Sequence, residues 1–177
     1  RIDHDRDRQH RVDVHVYRRA FPEGDGEGCV LATSGMSDRL MTLPARYDGD
    51  ESAARELFWY VREPRPAFIE RLRWLAKLPF AEGSWLGYGH TVPLPEPPLA
   101  GSPFSTFLLL PPVVAADRHL FDNLHLHGQG VEPLAVHLVS DAEYDLVRSD
   151  EGLDVFLDLL DVHRYPLVFD PARPSYL

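Results

Sequence analysis

Trp85 to Pro93 reads WLGYGHTVP, and it separates an amphipathic segment from a proline-laced loop. Gly87 and Gly89 alternate with Tyr88 and His90, so the backbone can bend or be approached closely while rings project beside it. The stretch contains no known catalytic spacing. Just upstream, Phe68, Leu72, Leu75 and Ala76 recur at i, i+4, i+7 and i+8, which predicts a helix from Arg65 with one apolar stripe. Pro79 is expected to end it. Just downstream, LPEPPLAGSP is too rich in proline to be regular, and FSTFLLL at Phe104–Leu110 predicts a buried strand.

Toward the N-terminus, residues 1–11 mix charges of both signs and are read as a flexible or edge segment. From Val12 the period becomes two. Val12, Val14 and Val16 fall on one face and Asp13, His15 and Tyr17 on the other, the pattern of a half-buried strand. FPEGDGEG at Phe21–Gly28 is a turn, and CVLATS at Cys29–Ser34 completes a hairpin. Glu23, Asp25 and Glu27 within the turn lack the ligand spacing of a calcium loop. Thr33–Pro44 is a turn rich in small residues, with neither a nucleophile elbow nor a phosphate loop. ELFWYV at Glu56–Val61 predicts a strand.

Toward the C-terminus, Leu120–His127 and Val131–Val139 are two further predicted strands, separated by Gly128-Gln129-Gly130. Ser140-Asp141-Ala142-Glu143 has the form of a capping box that opens a helix. A second helix is predicted from about Asp150, with Leu153, Phe156, Leu157 and Leu160 inward and Asp154, Asp158 and Asp161 outward. Tyr165–Phe169 predicts a last short strand, and 171–177 an irregular tail.

The bulk numbers narrow the functional classes. With 177 residues and ordinary hydrophobic content, one domain with a sizeable core is expected. Sixteen prolines favour short elements joined by stiff loops. A net charge of −10 repels nucleic-acid backbones. Residues 117–170 hold 12 of the 28 acids but 3 of the 18 lysines and arginines, so this third of the chain would steer toward a basic partner. The longest apolar run, Phe107–Ala116, is broken by Pro111 and Pro112 and is too short for a bilayer. With Cys29 as the single cysteine, no internal disulfide can form, and without a recognisable signal peptide a cytoplasmic location is expected.

Histidines are the best enzymatic lead. On a strand, His125 and His127 would share a face, which suggests a metal-assisted hydrolase as an alternative, but no third ligand is fixed by a motif. His90 could act as a general base only with an acid brought from elsewhere. No metal or other cofactor is expected.

In order along the chain, DVHVYR (13–18), TSGMSDRLM (33–41), RELFWYV (55–61), RLRWLAKLPF (71–80), WLGYGHTVP (85–93) and VEPLAVHLVSDAEYDLV (131–147) resemble a bacterial suppressor-of-fused domain protein. The resemblance implies a suppressor-of-fused-like domain over 12–170. Its expected fold is α+β, a single domain with a mixed, mostly antiparallel sheet and helices packed on it, and no catalytic activity. Animal relatives grip a short extended peptide of Gli transcription factors between two domains, and bacterial relatives are proposed immunity proteins that mask toxins. This chain is expected to lack the animal second domain, and Gly89 stands where animal members place an acid. The expected function is therefore binding of a protein partner, a basic toxin or, alternatively, a regulatory partner of a scaffold. The expected contact residues are Met36, Asp38, Trp85, Tyr88 and His90, with Asp154, Asp158 and Asp161 for steering.

Overall fold

A computed structural model describes residues 10–21, 26–47, 51–163 and 167–177. Most of the entry segment, Glu23 and Asp25 of the first turn, and Tyr165 and Pro166 lie outside the described residues.

The predicted hairpin forms from β1 (Asp13–Phe21) and β2 (Gly26–Ser34), in unbroken register from Asp13 opposite Ser34 to Phe21 opposite Gly26. β3 (Arg55–Val61) runs antiparallel to β2. All seven residues of β3 are buried, because both of its faces are covered. The remaining strands are β4 (Thr91–Pro93), β5 (Phe104–Leu110), the two-residue β6 (His125–Leu126) and β7 (Gln129–Gly130), and β8 (Glu132–Ser140). Six of them make one mixed sheet in the order β1-β2-β3-β8-β5-β4, in which only the β3/β8 pair is parallel. The α+β reading holds.

One face of the sheet is covered by α1 (Pro66–Glu82). Its stripe of Phe68, Leu72, Leu75 and Ala76 is buried against Trp59, Phe107, Leu109 and Val136. Pro79 does not end this helix. It sits in the last turns with its ring buried, and Gly83, in the left-handed conformation, stops the helix instead, its N–H and that of Ser84 closing on the Pro79 carbonyl. A proline near a helix end removes only one internal N–H bond, which its burial here offsets.

On the other face lie α2 (Ala115–Arg118), α3 (Asp141–Val147) and α4 (Gly152–Val162). The capping box is present, since Ser140 Oγ accepts from the Glu143 N–H and the Ser140 N–H donates to Glu143 Oε2 at 2.8 Å. Phe156 and Leu160 of α4 pack on Leu108, Leu110 and Val139. None of the helices described is long and apolar enough to cross a membrane.

Two strand expectations change. Val12 is buried and Val14 packs beside it under α1, but Val16 is 40% exposed, so the valine face of β1 is covered only at its start, while Phe21 at the other end of the strand is buried on the opposite face. Leu120–His127 is not a strand. After α2 the chain turns, and β6 and β7 form a miniature hairpin around His127 and Gly128, both at positive φ as a two-residue turn requires. Asp117, buried and bonded to the Tyr60 hydroxyl at 2.7 Å, ties this segment down onto the sheet. Of the expected last strand, Phe169 forms a parallel bridge with Val61.

Candidate functional site

The strand directions bring the end of β2 and the starts of β3, β8 and β4 to one end of the sheet. There the TSGMSD turn is held from within. Glu56, 4% exposed, accepts through Oε1 from the Gly35 N–H (3.1 Å), the Ser37 N–H (3.0 Å) and the Ser37 hydroxyl (2.7 Å). Its Oε2 accepts from the Thr33 hydroxyl at 2.6 Å. Gly35 is at φ +96, and a Cβ there would meet the Arg11 carbonyl oxygen at 2.5 Å, so the turn admits no side chain. The β6/β7 hairpin closes over the turn, with His127 Nε2–H donating to the Asp38 carbonyl at 2.7 Å.

From this turn a groove of about 650 Å³ runs across β2 on the face opposite α1. The β1 side chains His15, Tyr17 and Arg19 form one wall. The floor is Val30, Ala32 and Phe58, and the far wall is Leu120, Phe121, Leu124 and Leu126. Leu120 is 60% and Tyr17 56% exposed, so the groove presents apolar surface to solvent. Two of its charged groups are satisfied internally: Arg19 makes a two-pronged contact with Asp117 and lies over the rings of Phe21 and Tyr60, and Glu56 is satisfied as above, while Asp38 and His15 also line it. Such a concavity offers a place for apolar groups, with His15 and Asp38 as polar groups on its lining.

The WLGYGHTVP stretch lies at the same end of the sheet, at its opposite edge. His90 O accepts from the Leu109 N–H at 3.0 Å, and the Trp85 and His90 rings meet edge-on at 4.4 Å. Burial lowers the His90 imidazole below its ordinary value and nearby Arg55 adds to this, while a hydrogen bond with the Trp85 backbone and the charge of Glu51 oppose it. Gly89 is at φ +73, and a Cβ there would come within 2.9 Å of Leu153 Cδ2. The turn therefore abuts the first turn of α4, placing exposed Tyr88 beside the helix that carries Asp154, Asp158 and Asp161, all exposed.

The expected contact residues thus divide. Asp38 lines the groove, and Tyr88 is exposed in the turn whose Gly89 abuts Leu153 of α4. Trp85 and His90 are half-buried and support the turn. Met36, 1% exposed, packs in the core beneath the TSGMSD turn and offers no surface. His125 and His127 are not a strand pair, because His127 occupies the turn and is bonded to the Asp38 carbonyl. Among the described residues, no group of three or more potential ligands gathers around a metal position. The groove walls Tyr17, Arg19, Leu120, Phe121 and Leu124 were not singled out in sequence, although the odd-numbered polar face of β1 marked one of them.

A sheet of this order with helices on both faces defines a particular class of α+β domain, which solved structures share. A protein described as a SUFU (suppressor of fused protein) homolog from Neisseria gonorrhoeae superposes with a TM-score of 0.64 at 17% identity, over 96% of this chain and 90% of that one. Drosophila Suppressor of Fused gives 0.66 at 14% identity, over 92% of this chain and 42% of its own length. A chain of the Sufu–Fu complex gives 0.70 at 15%, over 92% and 76%. No curated protein matches by sequence. The family model for suppressor of fused protein (SUFU) matches residues 8–174, and the chain belongs to that family.

Proposed function

We propose that this chain is a non-enzymatic protein-binding domain of the suppressor-of-fused type that masks a basic toxin and so serves as its immunity protein. The observation that carries the binding reading is the open apolar groove, in which Arg19 and Glu56 are already satisfied internally. The structurally similar Sufu chain comes from a protein–protein complex, which supports the same kind of use. The exposed acids of α4 beside Tyr88 supply the field that draws in a basic partner, and apolar side chains of that partner fill the groove. A cytoplasmic site of action completes the proposal, with buried Cys29 kept as a thiol.

The test is affinity capture of the tagged protein from lysate of its own cell across a salt series, compared with two variants. The groove variant is Leu124→Asp, and the steering variant is Asp154→Asn/Asp158→Asn/Asp161→Asn. The proposal expects one stoichiometric basic partner, whose association slows in the steering variant at low salt and whose complex is lost in the groove variant. A partner that binds both variants as it binds the parent would refute the assigned surfaces. A partner with no toxic activity when expressed alone would replace immunity with a scaffold role.

A further inference from the structure

α4 carries two apolar stripes, and the fold uses one of them. Phe156 and Leu160 are buried on Leu108, Leu110 and Val139, with Leu153 and Leu157 packed beside them. Val155, Leu159 and Val162, at i, i+4 and i+7, make a second stripe along the helix. Val155 is 47% exposed and Val162, at 75%, is the most exposed large apolar side chain among the described residues. Half-buried Leu159 belongs to none of the packed clusters. Single exposed valines are ordinary on a surface, but three in one helical row form a ridge.

Beside this ridge run the carboxylates. Successive residues turn by about 100° around a helix, so Asp154 and Asp158 border the ridge on one side, with Asp161 beyond them. Among the described residues none of these three carboxylates has an ion-pair partner. The nearest described cation in sequence, Arg148, lies over the Tyr144 ring and donates to the Tyr144 hydroxyl at 3.1 Å. The border is therefore open to a cation brought from outside. A second copy of α4 would bring the same acids against these, and an anionic bilayer would be repelled by them. A helix has no free strand edge to offer, so its ridge is read by side chains alone, as another helix reads it.

We propose that α4 docks a basic amphipathic helix of the protein partner, whose apolar stripe packs on Val155, Leu159 and Val162 while lysines or arginines along its border pair with Asp154 and Asp158. The proposal rests on the protein-binding reading above and gives the acids of α4 a contact as well as a steering role.

The probe is a fluorescent leucine–lysine peptide of about 18 residues with its leucines in one helical stripe, long enough to be helical in water. A peptide of the same composition, scrambled to abolish the stripe, is the control. Anisotropy titrations with the full chain should show the striped peptide binding about tenfold tighter or better. Val155→Gln/Val162→Gln, which keeps good helix formers on an exposed face, should weaken it by about tenfold or more at every salt concentration. Asp154→Asn/Asp158→Asn should weaken it at low salt and have much less effect near 1 M, where the screening length is about 3 Å. Leu124→Gln in the groove should leave the affinity unchanged. Circular-dichroism melts verify that each variant folds. Equal affinity for the two peptides overturns the proposal, as does binding of neither. So does an affinity that the valine pair leaves unchanged or that Leu124→Gln lowers. The peptide titration needs no natural partner, so failure of the toxin reading, which the capture experiment decides, is distinguishable from failure of the ridge.

Discussion

Glu56 Oε1 accepts both the backbone N–H of Ser37 at 3.0 Å and its hydroxyl at 2.7 Å, so one buried carboxyl oxygen fixes the turn that closes the groove. The same oxygen also takes the Gly35 N–H, and its neighbour takes the Thr33 hydroxyl. Because these donors have no cation among them, the turn depends on the carboxyl group alone. Glu56→Gln replaces one acceptor oxygen with a donor and should cost about 1–2 kcal/mol. Glu56→Ala orphans the buried Ser37 N–H, the part-buried Gly35 N–H and two hydroxyls, and should cost about 3 kcal/mol or more. Urea denaturation midpoints check both, and equal midpoints for the two variants would contradict the bonding described.

Where neighbours in sequence are also neighbours in space, the sequence was easy to read. The α1 stripe, the capping box at Ser140 and the β1/β2 hairpin all arise from local spacing, and they appear as expected. The groove does not arise that way. Its two ends meet through Arg19 and Asp117, which are 98 residues apart, and no periodicity reports such a contact. Leu120, Leu124 and Leu126 imitate a strand because a segment lying over a groove also alternates between apolar contact and solvent. Met36 failed as a surface residue for a related reason, since a turn rich in small residues hides the fact that one large side chain can drop into the core.

The C-terminal tail is irregular but pinned. Arg173 Nη1 donates to Glu143 Oε1 at 2.7 Å and Nη2 to Oε2 at 2.9 Å, and the guanidinium lies 4.1 Å from the Phe104 ring centre. Burial alone would raise the Glu143 carboxyl. The Arg173 fork and the N–H groups of Ser140 and Tyr176 outweigh it and hold the carboxyl below its usual value. Arg173→Ala leaves that carboxylate buried without a cation and should cost about 3–5 kcal/mol, while Arg173→Lys, which keeps the charge but not the fork, should cost less. Since a depressed carboxyl contributes stability that is lost as pH falls through its folded value, the Arg173→Ala penalty should shrink in strong acid. Thermal melts of the three proteins at neutral and low pH measure it.

Gly89 couples the Tyr88 turn to α4. An alanine there must adopt φ +73, which costs roughly 1–2 kcal/mol, and its Cβ must push Leu153 Cδ2 aside. The Leu153 methyl is the far end of a flexible side chain and can give way, so Gly89→Ala should lose about 1–2 kcal/mol without unfolding. Leu153→Ala relieves the contact but not the backbone strain, so the double variant Gly89→Ala/Leu153→Ala should lose less than the sum of the two single losses. Chemical denaturation of the four proteins in this cycle decides; strict additivity would mean that the turn and the helix are independent.

Stability should fall as the solution is acidified from near neutrality, chiefly because of His137. This residue lies on the α4 side of β8, among Phe156, Leu160 and Arg173, where burial pushes its imidazole down to about 4 and the nearby Arg173 charge adds to the effect. The folded chain therefore keeps it neutral between the ordinary imidazole value of 6.5 and about 4, while the unfolded chain takes up a proton. More protons on the unfolded state means that stability rises with pH across this window and is lost as pH falls through it, by at most ~3 kcal/mol. His90, also lowered by burial, adds to the slope in the same direction, whereas Glu143, depressed below 4.5, adds its own loss only at the acid end. His137→Gln removes the titrating group at nearly constant size, so the drop in urea midpoint between pH 7 and pH 5 should be clearly smaller than in the parent. An unchanged drop would move the acid sensitivity to other groups.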